Sequence, residues 1–255
     1  GLSHPNCGID FNDITTMFVR SVVEGLFGYR PDYPNAKVVF APTIPVEWDH
    51  ASIAAPDFSI AFKQNGNKDQ YRFTLTKKAG MTLRLPIRAD KVKRLIINNK
   101  SVPFRIEPQT GYGMLVAEVP ATNEVAVKIE LVNRRADSET VEVEKEVGET
   151  LTVQTENGNY HDIEDPQQVL GNVKNNGMNL SATCADKPGF HMVFAKTGGE
   201  VPYYQVIKLK IKNSISEKEK AEKLPQTAPA NGTWTPVDMS AQFNGDIRNI
   251  FKQKY

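Results

Sequence analysis

Apolar residues at Phe11, Ile14, Phe18, Val22 and Leu26 recur at helical spacing, and Met17 and Val23 widen the stripe. The pattern predicts one amphipathic helix from about Asp10 to Phe27, with Asp10 as N-cap and Asp13 adding negative charge to the first turn. Gly28 can take the left-handed conformation that ends such a helix, and Pro31 blocks its continuation. So broad a stripe needs a large packing partner, either the region that follows or the rest of a helical body.

From Lys37 to Asn133 the period changes to two, in short runs bounded by turn residues. The runs predict strands at Lys37–Ala41, Phe58–Lys63, Gln70–Lys77, Thr82–Pro86, Val92–Ile97, Gly113–Val119 and Val125–Val132. In the third of these, Tyr71, Phe73 and Leu75 fall on one face. Many short strands without intervening helices imply an antiparallel β-sandwich. A second β unit follows from about Ser138 to Lys212, with alternation at Val141–Lys145, Thr150–Gln154, Leu180–Cys184, Gly189–Ala195 and Tyr203–Ile211. Lys187-Pro-Gly feeding one alternating strand and then a long last one reads as the closing hairpin of an immunoglobulin-like unit, whereas Glu156 to Gly177 lacks strand periodicity. The expected fold is therefore mainly β: an N-terminal helix (1–30), an antiparallel β-sandwich (31–135) and a second, smaller immunoglobulin-like β-sandwich (136–213). Residues 214–255, with a charged run at Ser216 and a Pro-rich stretch from Leu224, read as a linker and the start of a further segment around Trp234.

A length of 255 residues suits two domains, and 40% hydrophobic content is enough to give each a core. A net charge of +1 with mixed signs lacks the basic stripe of a nucleic-acid binder, so no nucleic-acid partner is expected. Nor does any apolar run approach the length of about 20 residues that spans a bilayer. Cys7 and Cys184 read as one loop thiol and one strand thiol, without zinc-ligand spacing. Both ends of the chain read as interrupted, and no signal peptide is apparent.

The residues Gly28, Arg30, Pro31, Pro42, Pro45, Trp48, Ala51 and Ser52 carry a resemblance. They are similar to the junction between the last helix of an (α/α)6 barrel and its trailing β-sandwich in bacterial glycoside hydrolases of the α-L-rhamnosidase and α-fucosidase type, most closely in glycosidase-like proteins of Bacteroidales. The likeness covers about the first 130 residues. It implies that the helix is the last of a catalytic barrel and that the barrel's carboxylates lie upstream. It also implies export to the periplasm, the cell surface or the medium, with no cofactor. No catalytic residue is carried over. The resulting expectation is a non-catalytic accessory region of a secreted polysaccharide-degrading enzyme, whose partners are its own helical barrel and glycans. The alternative is a stand-alone carbohydrate- or protein-binding module.

Individual residues add little chemistry. Glycoside hydrolysis needs two carboxylates about 5–10 Å apart. Asp49 and Asp57 flank Trp48 but read better as turn residues. Tyr29, Trp48 and His50 are the candidates for carbohydrate contact, because aromatic faces stack on pyranose rings. The competing and preferred reading has Trp48 filling the interface between helix and sandwich. Tyr203 is a second aromatic for a binding surface. Asp162, Glu164 and Asp165 offer hard oxygen ligands for Ca²⁺, yet without an EF-hand order, and a solvated acidic loop is the simpler reading. His191 reads as a surface or satisfied sandwich residue. There is no Gly-x-Ser-x-Gly elbow and no phosphate-binding Gly-x-x-x-x-Gly-Lys. Asn99, Asn179 and Asn231 begin glycosylation triplets of the kind that arise by chance.

Overall fold

The structure, a computed structural model, describes residues 13–138 and 140–213. Expectations for Cys7, Asp10, Phe11, Asn231, Trp234 and residues 214–255 fall outside the described residues. The protein is mainly β, with one short helix at the N-terminal side.

Helix α1 (Asp13–Arg20) runs into a π turn, Ser21–Leu26. The turn closes when the Phe27 N–H donates to the Val22 carbonyl at 3.0 Å. Gly28 then takes φ +66°, as its position requires. A Cβ there would also lie 2.0 Å from the Ala41 carbonyl carbon, so only glycine lets the chain turn this tightly onto the sheet.

Nine strands build the first sandwich: β1 (Tyr29–Asp32), β2 (Lys37–Phe40), β3 (His50–Ala54), β4 (Phe58–Asn65), β5 (Lys68–Ile87), β6 (Ala89–Ile97), β7 (Lys100–Ser101), β8 (Arg105–Pro108) and β9 (Gly113–Arg134). Two of these differ from the sequence expectation. The runs read as separate strands on either side of Lys77–Gly80 form one 20-residue β5, and those on either side of Pro120 form one 22-residue β9. The register shifts twice between Thr74 and Met81. There the long strands bend and pass from one layer to the other, so turn-like residues mark a corner instead of an end. Pro120 has no partner on β5 and needs none, while Asn123 Nδ2 donates to the Leu75 and Thr76 carbonyls at 3.0 and 3.2 Å where the ladder breaks.

One layer is thus β1, β2, the second half of β5, the first half of β9 and β8; the other is β3, β4, the first half of β5, the second half of β9, β6 and β7. Aromatic pairs join them. Tyr29 of β1 stacks on Phe58 of β4 at 3.9 Å between centroids, and Phe40 of β2 stacks on Phe73 of β5 at 4.5 Å. Tyr71, Phe73 and Leu75 are all buried, as their alternation predicts.

The second unit comprises β10 (Val141–Glu146), β11 (Thr150–Gln154), β12 (Asp162–Glu164), β13 (Leu170–Asn176), β14 (Asn179–Cys184), β15 (Gly189–Thr197) and β16 (Tyr203–Lys212). They form two sheets, β10-β16-β15-β12 and β11-β14-β13. This is the immunoglobulin arrangement with its first strand moved across to lie parallel to the last. Leu151, Leu180, Val193, Ile207 and Leu209 fill its core. The stretch read as a loop without strands holds β12 and β13. β13 gave no period because it is an exposed edge strand whose pairing slips between Gly171 and Lys174.

The two cores are separate clusters that meet at one seam, and the described residues belong to one compact unit. Thr110 bridges to Tyr204, the Gly111 N–H donates to the Tyr204 carbonyl at 2.9 Å, and the Tyr204 N–H donates to the Gln109 carbonyl at 2.8 Å. Val201, from the β15–β16 connection, is buried in the core of the first sandwich. Arg135 lies over the Tyr203 ring at 4.0 Å.

Candidate functional site

The chain leaving α1 lays down β1, turns back as β2, and then crosses to β3 through Pro42-Thr-Ile-Pro-Val-Glu-Trp-Asp. This crossing brings the junction residues to the surface unevenly. Trp48 is 45% exposed, which overturns the reading that it fills the helix–sandwich interface. That space is taken by Phe27, fully in the core, with Val22, Val23 and Leu26 packed against it. His50 is exposed at the start of β3, its Nδ1 2.5 Å from Asp49 Oδ1. The hydrogen bond from His50 holds the Asp49 carboxyl below its usual range. Tyr29 is buried under Phe58, and its hydroxyl lies 3.3 Å from that of Tyr33. Burial pushes that hydroxyl well above the ordinary tyrosine value. No face of Tyr29 is left for a sugar, so of the three proposed contact residues the structure keeps Trp48 and His50 on the surface and withdraws the third. Tyr203 is likewise buried, beneath Arg135. Asp49 and Asp57 sit in the bends before β3 and β4, the structural role read for them.

Beneath the same crossing lies a charged group that sequence reasoning missed. Asp69 is 4% exposed and accepts from Arg134 Nη2 at 2.6 Å. Arg134 also donates from Nε to the Gly66 carbonyl at 2.8 Å and from Nη1 to Gln64 Oε1 at 3.2 Å. The guanidinium therefore clamps the β4–β5 hairpin to the end of β9. Ile44, Pro45 and Val46 roof this pair, with Arg88 alongside, around a void of about 10 Å³, room for about one water. Burial pushes the Asp69 carboxyl up, against the pull of Arg134. A signal was present: Asp69 lies in phase with Tyr71, Phe73 and Leu75, and an acid in step with a buried face needs a partner.

In the second unit the three acids proposed for Ca²⁺ have separate partners. Asp162 Oδ1 accepts from the Ile163 N–H at 2.8 Å, Glu164 from the Tyr204 hydroxyl at 2.6 Å, and Asp165 Oδ2 from the Leu170 N–H at 2.8 Å. Among the described residues no three His, Cys, Asp or Glu side chains converge to hold a metal ion. His191 is satisfied, with Nε2 2.7 Å from the Lys187 carbonyl. Cys184 is buried as a free thiol, and burial pushes its pKa up. No helix among the described residues is long and apolar enough to cross a membrane.

No protein-family model matches the chain. No curated protein matches it either.

Proposed function

We propose that this chain is a non-catalytic accessory β-sandwich region of a secreted bacterial glycoside hydrolase, buttressing a helical catalytic barrel and linking it to further domains. One observation carries the reading. Val22, Val23 and Leu26 seat the C-terminal half of the helical segment on the sandwich, while Met17, Phe18 and Val19 are 56%, 68% and 53% exposed. Three adjacent uncovered apolar side chains on it call for a packed partner, and neighbouring helices of a barrel supply one. The junction residues Gly28 to Ser52 give that partner its identity by resemblance.

The test starts from the gene. Several hundred upstream codons for helical hairpins with paired acidic residues are expected. That upstream segment, co-expressed with the present chain, should form a complex that Phe18→Asp disrupts. A signal peptide directly before Leu2, or turnover of aryl glycosides by the purified chain, overturns the reading. A stand-alone carbohydrate- or protein-binding module is the second reading, favoured by the exposure of Trp48 and of Phe190, the latter at 79%. Glycan binding that Trp48→Ala abolishes in a folded protein would put that reading first.

A further inference from the structure

We propose that the outer face of the first sandwich carries a trough for an acidic polysaccharide, centred on Lys63 and Lys128. Cross-strand register builds it. His50 of β3 pairs with Lys63 of β4, Lys63 with Gln70 of β5, and Gln70 with Lys128 of β9. These four residues stand in one line across the sheet. The next line on the same face is Ser52, Ala61, Arg72 and Ala126. Alternation sends Phe62, Tyr71 and Val127 into the core and leaves the lined-up side chains outside. Because Ala61 and Ala126 are small, the long side chains around them enclose an open depression of about 200 Å³, lined by these residues and by the otherwise buried Phe62, Tyr71 and Val127.

Its charge is not already spent. Lys63 and Lys128 have no ion-pair partner among the described residues. On the immunoglobulin-like sheet, by contrast, Lys208 and Lys210 pair with Glu142 and Glu144 at 2.9 Å, and Lys212 also pairs with Glu144. The acids nearest the trough are taken: Glu130, two residues beyond Lys128 on the same face, contacts Arg94 at 3.0 Å, Glu124 contacts Arg72 at 3.2 Å, and Asp49 holds His50. The Arg72 side chain is 67% exposed, so that contact is weak and Arg72 can turn toward a ligand at little cost.

The shape selects the ligand. Two strand steps separate Lys63 from Lys128, about 9.5 Å, and the four residues from His50 to Lys128 span about 14 Å. That suits an extended chain with repeated negative charge better than a single ion. Gln70 between the lysines and Ser52 beside them supply neutral hydrogen bonds for hydroxyl groups. No Phe, Tyr or Trp side chain stands in either line, so the base stacking that single-stranded nucleic acid uses is missing from them. So is the ring stacking that carries neutral glycans. This site does not depend on the accessory-domain reading.

The test is binding of the full chain to polygalacturonate, chondroitin sulfate, a neutral cellulose derivative and single-stranded DNA, by affinity electrophoresis. At least one acidic polysaccharide should bind at about 50 mM salt and weaken steeply toward about 500 mM. The carboxylate and sulfate arms tell which anion is preferred. Lys63→Glu with Lys128→Glu should weaken binding about tenfold or more. Lys77→Glu with Lys78→Glu, outside the trough, should not, and a thermal melt checks that each variant is folded. Should the double glutamate variant not fold, Lys63→Gln with Lys128→Gln should show a smaller loss of the same sign. No binding to either acidic polymer, binding indifferent to Lys63 and Lys128, or tighter binding to DNA overturns the proposal.

Discussion

In the first sandwich, β5 and β9 pass through both layers, so the layers share two continuous strands and one aromatic stack. In the immunoglobulin-like unit the two sheets share no strand, and polar side chains help to close the core. The Tyr160 hydroxyl donates to Gln205 Oε1 at 2.5 Å, and Thr197 Oγ1 lies 3.1 Å from Thr155 Oγ1, all four residues buried. The smaller unit also gives up Val201 to the larger core. The difference shows how size and closure trade off. A sandwich with continuous corner strands can rely on apolar area, whereas a small one leans on directed bonds and on its neighbour.

The largest expected effect breaks the aromatic stack. Phe73→Ala removes a ring that is fully buried against Phe40 and Tyr71, and should cost about 3–5 kcal/mol in denaturant unfolding. Next comes the charge pair of Asp69 and Arg134, the one buried pair among the described residues. Arg134→Met leaves the Asp69 carboxylate buried without its partner, for about 3 kcal/mol, the lower end for a broken buried pair because Asp69 can relieve its charge by taking up a proton. The pair's pH dependence tests the balance of forces at Asp69. Burial raises the folded carboxyl pKa above the unfolded one, so the folded protein holds that proton to higher pH. The resulting stability is complete below the ordinary Asp value and is lost as pH rises through the folded value. As pH rises from below the ordinary Asp value, denaturation midpoints of the parent should therefore fall relative to those of Asp69→Asn. The opposite trend would mean that pairing with Arg134 outweighs burial.

A smaller effect probes the seam between the two units. A Cβ at Gly113 would lie 2.5 Å from Val201 Cγ1 and 3.0 Å from Ile106 Cγ2. Gly113→Ala should thus cost about 1–3 kcal/mol through overpacking. Combining it with Val201→Ala should cost less than the sum of the two, since the smaller side chain makes room. Strict additivity in that double-mutant cycle would show that the units do not press on each other at this point.

Much of this was legible in the sequence wherever a pattern is local. Tyr71, Phe73 and Leu75 announce their face, Gly28 announces the end of the helix, and the β15–β16 hairpin follows from alternation around Pro188-Gly189. What depends on partners distant in the chain was not. Lys77-Lys-Ala-Gly looks like a turn unless one knows that β9 bends beside it. β1, β3 and β8 are edge strands of four or five residues, too short to show a period. Trp48 reads from the sequence as an interface residue, yet the nearer Phe27 and Leu26 take that space. The alignment of Lys63 with Lys128 exists only through the pairing of three strands.

The smallest expected effect sharpens the same comparison by moving from the aromatic stack to the open face of the second unit. Phe190 stands on the outer side of β15, 79% exposed, opposite Lys210, whose Nζ lies 5.6 Å from the ring centre. Removing this ring opens no cavity and leaves no buried group unpaired. What is lost is an exposed cation–π contact, of order 0.5 kcal/mol, and some preference of an aromatic for a strand. Phe190→Ser should therefore move unfolding by no more than about 0.5 kcal/mol, several-fold less than Phe73→Ala. A loss above about 1 kcal/mol in the same titration would mean that the ring is covered in solution, and that the face of β15 and β16 is packed against a partner instead of facing water.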